Sequence, residues 1–180
     1  MKYLICSDMH GSETAAKKIT EIVDREKCDY LILLGDILYH GPRNPLPQGH
    51  NPKGVVEALN AISAKIIACR GNCDAEVDQM LLHFHLMSDY CLVVDNGVRM
   101  FCTHGHIYDS EKAENCDVFF SGHTHVQVLK KNSAGIIICN PGSVSLPKEN
   151  SPAGYAIYED RVISLYDIDG KKIRSLALEN

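Results

Sequence analysis

Apolar runs alternate with helix-like segments along the first half of the chain. Residues 2–7, 30–34 and 65–69 are short, mainly apolar runs of the kind that form buried strands. Between them, residues 12–27 and 52–63 carry apolar side chains at helical spacing, and Ser12 stands where a helix N-cap is expected. Strands that alternate with helices predict a mostly parallel α/β arrangement.

The second half of the chain is rich in strands. Residues 90–94 and 98–102 flank Asp95-Asn96-Gly97, which is a hairpin signature. Further strand-like runs, separated by turn signals, cover residues 117–121, 127–131, 135–139, 154–158, 162–167 and 172–178. Because no linker or internal repeat divides the chain, we predict a single domain over residues 1–180, with a parallel half followed by an antiparallel half.

Composition and charge narrow the class of protein. Hydrophobic residues make up 45% of the chain, which is typical of a globular domain. No apolar run approaches the roughly 20 residues of a membrane helix, so we expect a cytoplasmic protein without a membrane partner. The eight cysteines contain no C-x-x-C pair, and we interpret them as reduced thiols. A net charge of −5 argues against a broad nucleic-acid surface, but not against a small anionic substrate.

Polar residues beside glycine end five of the predicted strands. The clusters are Asp8-Met9-His10-Gly11, Gly35-Asp36, Gly71-Asn72-Cys73-Asp74, Thr103-His104-Gly105-His106 and Gly122-His123-Thr124-His125. In an open α/β sheet the ligand crevice lies outside the carboxyl ends of the strands. We therefore expect the five clusters to meet at one edge of the fold.

The residue types in these clusters point to a metal centre. Asp8 and His10 are two positions apart and share a face of an extended strand end, as do His123 and His125. Each motif taken alone is more often a surface turn than a metal site. Together they offer seven candidate ligands: Asp8, His10, Asp36, Asn72, His104, His123 and His125. Imidazole and carboxylate donors suit Mn²⁺, Fe or Zn²⁺ better than an iron–sulfur cluster.

The order of these motifs resembles the calcineurin-like metallophosphoesterase superfamily, and within it the YfcE-type bacterial phosphodiesterases. The segments His40-Gly41-Pro42-Arg43-Asn44 and Asn140-Pro141-Gly142-Ser143-Val144-Ser145 support the resemblance, which covers essentially the whole chain. It implies an α/β fold, a two-sheet mixed β sandwich flanked by helices. It also implies phosphodiester hydrolysis, two divalent metal ions and an assembly into homodimers or homotetramers. Manganese is the expected metal, with iron, zinc, nickel and cobalt as alternatives.

The resemblance further implies how the ligands divide between the two ions. One ion would be held by Asp8, His10, Asp36 and His125, and the second by Asp36, Asn72, His104 and His123, so that Asp36 bridges. Two such ions lower the pKa of a shared water, giving a bridging hydroxide as nucleophile, and they stabilise charge on the phosphoryl oxygens. We interpret Asp36, Asn72, Cys73 and His104 as the catalytic group.

Cys73 departs from the pattern of the wider superfamily. In many superfamily phosphatases a histidine follows Gly-Asn and is thought to protonate the leaving group, whereas here a cysteine follows Asn72. A thiol is a poorer proton donor for an alkoxide than an imidazolium. This predicts a preference for diesters and activated leaving groups over alkyl phosphomonoesters. Direct metal ligation and simple packing are the alternative roles of Cys73.

Three further residues are assigned around the metal site. Arg43, in a proline-rich loop, is a candidate for contacting substrate phosphate, although a solvated loop arginine has the same appearance in a sequence. His106 either lines the site together with Cys73 or caps a turn. Asp74 is expected to orient a ligand rather than to bind metal itself.

Other functions remain open at this point. A phosphomonoesterase is the main alternative to a diesterase acting on a small phosphodiester. A nuclease fits poorly with the net negative charge of the chain. The non-enzymatic alternative is a protein-binding scaffold, as in the retromer subunit Vps29, which shares the fold and has lost some ligand histidines. The natural substrate does not follow from the sequence.

Overall fold

A six-stranded sheet forms from the first three apolar runs and the last three. In the computed structural model, which describes residues 1–179, the strand order of this sheet is β11-β10-β9-β1-β2-β3. Residue 180, the last of the predicted domain, lies outside that range. The strands are β1 (Tyr3–Cys6), β2 (Tyr30–Leu33), β3 (Ile66–Ala68), β9 (Gly154–Glu159), β10 (Val162–Asp167) and β11 (Lys172–Ala177). β1, β2 and β3 are parallel, as predicted, whereas β9 pairs antiparallel with β1.

The second sheet has five strands in the order β4-β5-β6-β8-β7. These are β4 (Tyr90–Asp95), β5 (Val98–Thr103), β6 (Val118–Phe120), β7 (Gln127–Lys131) and β8 (Ile137–Pro141). The expected hairpin joins β4 and β5. The prediction of an antiparallel second half is correct for the pairs β4–β5, β7–β8, β9–β10 and β10–β11. It is wrong for β5, β6 and β8, which run parallel to one another. Two mixed sheets result, which confirms the predicted two-sheet sandwich.

Both faces of the central strands are buried, which explains why their sequences are continuously apolar. Leu4 and Cys6 of β1 pack against the helices, while Tyr3 and Ile5 point into the core between the two sheets. The helices are α1 (Glu13–Arg25), α2 (Pro52–Asn60) and the short α3 (Glu76–Gln79). The hydroxyl of Ser12 accepts a hydrogen bond from the Ala15 N–H and caps α1, as predicted.

Close backbone packing brings the strand ends together at the edge that carries the polar clusters. A Cβ on Gly71 would stand 2.0 Å from Asp36 Oδ1, and a Cβ on Gly122 would stand 2.8 Å from Asp8 Oδ2. A side chain at Gly71 would therefore displace Asp36, and one at Gly122 would displace Ser7, whose Oγ would lie 1.9 Å away, together with Asp8. Within residues 1–179 the structure contains no helix with both the length and the apolar character needed to cross a membrane.

Candidate metal centre

The ends of the strands bring the seven predicted ligands to one site. Asp8 and His10 follow β1, Asp36 follows β2 and His104 follows β5. Asp8, His10, Asp36, His104 and His125 are almost completely buried, His123 is half-buried and Asn72 is exposed. Buried carboxylates and imidazoles are costly unless they are paired or bind a metal.

One group of side chains forms around Asp8. Its Oδ1 lies 3.2 Å from His125 Nε2 and 3.5 Å from His10 Nε2, and the two imidazole nitrogens lie 3.2 Å apart. His10 Nε2 also lies 3.8 Å from Asp36 Oδ2. These four residues are the predicted ligands of the first ion, and Asp8, His10 and His125 can hold one ion among them.

A second group forms on the other side of Asp36. Asp36 Oδ2 lies 3.4 Å from His104 Nε2, which in turn lies 3.1 Å from Asn72 Oδ1. The ring of His123 stands 5.1 Å from the ring of His104, measured between centroids. Asp36 is thus near the histidines of both groups, which is the position that a bridging carboxylate requires.

Backbone carbonyls determine which ring nitrogen of three histidines carries a proton. The Nδ1 atoms of His10, His104 and His125 each contact a carbonyl oxygen, at Tyr39, Leu34 and Leu146 respectively. A carbonyl can only accept, so Nδ1 is the donor and Nε2 of the neutral ring keeps its lone pair. These lone pairs point at the carboxylates of Asp8 and Asp36.

The arrangement fits a divalent cation. Asp8 Oδ1 is fully buried and no hydrogen bond satisfies it among the described residues. When both rings are neutral, two imidazole lone pairs face the same oxygen atom, and acceptors that converge without a donor are unfavourable in a buried site. A cation between them removes that cost, and this set of oxygen and imidazole donors suits Mn²⁺, Fe, Zn²⁺ and similar ions.

The backbone of the site adopts a conformation that is uncommon for residues other than glycine. Five of the seven predicted ligands have a positive φ: Asp8 (58°), His10 (50°), Asp36 (55°), His123 (68°) and His125 (63°). Left-handed residues of this kind each cost on the order of 1–3 kcal/mol and persist only where the surroundings enforce them. Of the twelve non-glycine residues with a positive φ among residues 1–179, five are candidate ligands at one edge of the fold.

The electrostatics of the protein alone reflect the crowded charges. Burial favours the neutral forms, but the histidines around Asp8 hold the pKa of this carboxyl well below its usual range. Burial likewise opposes the charged form of His104, yet the hydrogen bond to Asp36 and the charges of Asp8 and Asp36 outweigh it and raise the pKa of His104 to about 9. In the protein alone, His104 therefore carries on Nε2 the proton that a bound cation would displace. Burial and the neighbouring His104 lower the pKa of His123.

Asp74 fixes the loop that carries Asp36. Its Oδ2 accepts the backbone N–H groups of Asp36 and Gly71, both at 2.7 Å, and its Oδ1 accepts the N–H of Ile37 at 2.8 Å. Burial raises the pKa of Asp74, while the three N–H donors oppose that shift. Asp74 therefore contacts the backbone of the Asp36 loop, in line with the predicted orienting role.

A cavity of 450 Å³ opens over the candidate ligands. It is lined by Asp36, Asn72, His123 and His125 and also by Cys73 and Arg43, two of the three predicted substrate contacts. The Cys73 N–H donates to Asp36 Oδ1 at 2.8 Å, and its thiol accepts from Asn72 Nδ2 at 3.2 Å. Burial, followed by the charge of Asp36, raises the pKa of this thiol to about 12.

His106, the third predicted substrate contact, is not among the residues of 1–179 that line this cavity. Its ring stands 5.3 Å from the ring of His104 and 6.3 Å from that of His123, and its Nδ1 is buried without a partner among the described residues. A role in substrate binding stays a prediction for His106.

Two polar residues that support the ligands were not assigned a role from the sequence. Asn140 Nδ2 donates to the Gly122 carbonyl at 2.7 Å and to Thr124 Oγ1 at 3.1 Å, on both sides of His123. Ser143 Oγ donates to the Asp8 carbonyl at 2.7 Å. Both belong to the segment of residues 140–145. In the sequence this segment supported the family resemblance, but no role for its individual residues followed from it.

Replacing Asn140 by alanine is expected to weaken Mn²⁺ binding about 10- to 100-fold, the usual cost of removing a residue that orients a ligand. The variant loses the donor that holds the turn around His123. Asn140→Asp keeps the acceptor for the Gly142 N–H, at 2.9 Å, and loses the same donor, so it should show a similar loss. Isothermal calorimetry with Mn²⁺ measures both; wild-type affinity in the two variants would show that Asn140 does not position the ligands.

Comparisons with known proteins agree with this geometry. Residues 1–161 match the model of the calcineurin-like phosphoesterase superfamily domain. The chain is 42% identical to phosphodiesterase YfcE of Escherichia coli over 96% of this chain and 95% of that protein. The solved structure of the E. coli phosphoesterase YfcE superposes with a TM-score of 0.95, covering 99% of this chain and 100% of that one.

A more distant similarity concerns the fold alone. Vacuolar protein sorting 29 from Cryptosporidium parvum, at 18% identity, matches with a TM-score of 0.68 over 98% of this chain and 97% of that one. A shared fold does not by itself establish a shared function. The function of this chain has to be argued from its own candidate ligands.

Fold and site define a metal-dependent phosphoesterase. The chain belongs to the calcineurin-like phosphoesterase superfamily.

Proposed function

We propose that the protein is a dinuclear, Mn²⁺-supported phosphodiesterase acting on a small phosphodiester. The observation that carries this proposal is the convergence of Asp8 Oδ1, two imidazole nitrogens and the Asp36 carboxylate in one buried site, 3.2–3.8 Å apart. The 42% identity to a protein named phosphodiesterase YfcE supports the choice of diesters over monoesters.

The protein's own residues would hold and orient the reactants. Asp8, His10 and His125 would bind one ion and Asn72, His104 and His123 the other, with Asp36 shared between them. When bound, two divalent ions activate a water as nucleophile and neutralise charge on the phosphoryl oxygens. Arg43 lines the cavity above the candidate ligands and would contact the substrate through a phosphate group.

The test compares three substrates in the presence of added Mn²⁺: an aryl phosphodiester, an aryl phosphomonoester and an alkyl phosphomonoester. We expect turnover of the diester to exceed turnover of the alkyl monoester by far, because the protein offers a thiol rather than an imidazolium beside the leaving group. Replacing Mn²⁺ by Zn²⁺, Co²⁺, Ni²⁺ or Fe²⁺ ranks the metals. Equal rates on all three substrates contradict the diesterase assignment, and rates that do not depend on metal contradict the metal centre.

Cys73→His should raise turnover of substrates with poor leaving groups about tenfold or more, since a positioned general acid typically contributes 10²–10⁴-fold. The imidazole would enter the cavity next to Asn72, where the thiol now lies. Cys73→Ala is the matched control and should not show this gain. The measurement is the ratio of the turnover rates of alkyl and aryl esters in each variant. If Cys73→His and Cys73→Ala change this ratio equally, the absence of a proton donor at position 73 does not explain the substrate preference.

A further inference from the structure

Two basic side chains face the same cavity as the candidate metal ligands. Arg43 and Lys148 both line it, both are exposed, and neither forms an ion pair with any residue of 1–179. Asp36 is the one acidic residue on the cavity wall within that range. Because the chain has 18 basic and 23 acidic residues, this cavity is much more basic than the protein as a whole.

The loop of Arg43 is tied to one of the candidate ligands. The Tyr39 carbonyl, at the start of this loop, accepts from His10 Nδ1 at 2.9 Å. Asn44 Nδ2 then donates to the His40 carbonyl, also at 2.9 Å, and closes the turn that presents Arg43. The loop therefore orients a ligand and places a cation at the same time.

The loop of Lys148 is built in the same way. The Lys148 N–H donates to the carbonyl of His125 at 3.1 Å, and the Lys148 carbonyl accepts from the Ser151 N–H at 2.9 Å. The next two residues, Glu149 (φ 52°) and Asn150 (φ 60°), are both left-handed. Positive φ at both central positions, with the hydrogen bond that spans residues 148–151, is the pattern of a type I′ turn, and this turn begins at Lys148.

The charge in the cavity exceeds what a simple phosphodiester needs. The reacting phosphate of such a diester carries one negative charge. When bound, two divalent ions would balance the carboxylates of Asp8 and Asp36, a hydroxide nucleophile and that phosphate charge, so Arg43 and Lys148 would be left without a partner. A phosphate monoester group carries close to two negative charges near neutral pH, which matches two cations.

We propose that the substrate is a phosphodiester that bears a second, terminal phosphate group, and that Arg43 and Lys148 bind this group. The inference rests on the proposed function, which supplies the reacting diester at the metal centre. It assigns Lys148 as a residue that determines substrate specificity.

The test uses two substrates that differ by one phosphate. These are the 5′-(p-nitrophenyl phosphate) of thymidine and the same ester carrying a 3′-phosphate. With the Mn²⁺-loaded wild-type protein we expect kcat/KM to be about tenfold higher for the phosphorylated ester, mainly through KM, as a charged hydrogen bond would give. In Lys148→Gln and in Arg43→Gln this ratio should fall towards one. Lys171→Gln, which removes an exposed lysine outside the cavity, should keep it.

A binding measurement separates this inference from catalysis. Calorimetry on the Mn²⁺-loaded protein should show tighter binding of thymidine 3′,5′-bisphosphate than of thymidine 5′-monophosphate, and Lys148→Gln should remove the difference. A ratio near one in both measurements overturns the inference while leaving diester hydrolysis in place. A protein that binds the bisphosphate more tightly yet hydrolyses no diester overturns the proposed function and supports the anion site.

Discussion

Asp36→Asn is expected to reduce diesterase activity by more than about 100-fold, beyond the roughly 10- to 100-fold cost of losing a residue that merely orients a ligand. Asp36 Oδ1 accepts the Cys73 N–H, whereas Oδ2 faces the histidines of both groups. In asparagine the oxygen would stay on the Cys73 N–H, and the amide NH₂ would then point at both of the proposed metal positions. A donor at that place repels a cation.

The variant should also lose bound metal while keeping its fold. Metal content by plasma mass spectrometry, activity and the thermal unfolding of the metal-free protein separate these effects. Asp24→Asn removes the same charge from an exposed position and serves as the control. If Asp36→Asn retained a full complement of metal and more than a tenth of the activity, Asp36 would not be the shared ligand.

Asp74→Ala should lower the free energy of unfolding by about 3–5 kcal/mol, because it leaves three backbone N–H groups without an acceptor in a buried site. Asp74→Asn can still accept two of the three and should lose clearly less. Urea denaturation in the presence of a chelator measures this stability without a contribution from metal binding.

The loss of unfolding free energy in Asp74→Ala should arise locally, because the three N–H groups belong to the turns that carry Asp36 and Gly71. Asp24→Ala, which truncates an exposed aspartate, gives the background value expected for a surface site. A destabilisation of Asp74→Ala no larger than that background would mean that water replaces the carboxylate and that Asp74 does not fix the loop.

The sequence was sufficient to predict the strands and the meeting of the ligands. A strand buried on both faces is continuously apolar, and β1 and β2 show this without interruption. Asp8 and Asp36 lie in the turns that follow such strands, where a parallel sheet brings them together. Their proximity in the structure follows from the topology of three parallel neighbours.

The parts that could not be predicted depend on contacts between distant segments. β6 is only three residues long, and nothing in its sequence says that β5 and β8 will flank it in parallel. Asn140 and Lys148 lack a local signal because each acts on residues more than fifteen positions away, Asn140 on Gly122 and Lys148 on His125. A polar residue in a loop has no periodicity that would reveal such a partner.

The left-handed backbone of the candidate ligands limits which amino acids can replace them. Asp, Asn and His adopt this conformation several-fold more often than other residues with a side chain. Glutamate and cysteine bind divalent metals well in other proteins. The positive φ of five candidate ligands nevertheless disfavours both residue types there, whatever their affinity for metal: Asp8, His10, Asp36, His123 and His125. The preference for oxygen and imidazole ligands is therefore already present in the turns, and converting this centre into a thiolate site would require redesigned turns as well as new ligands.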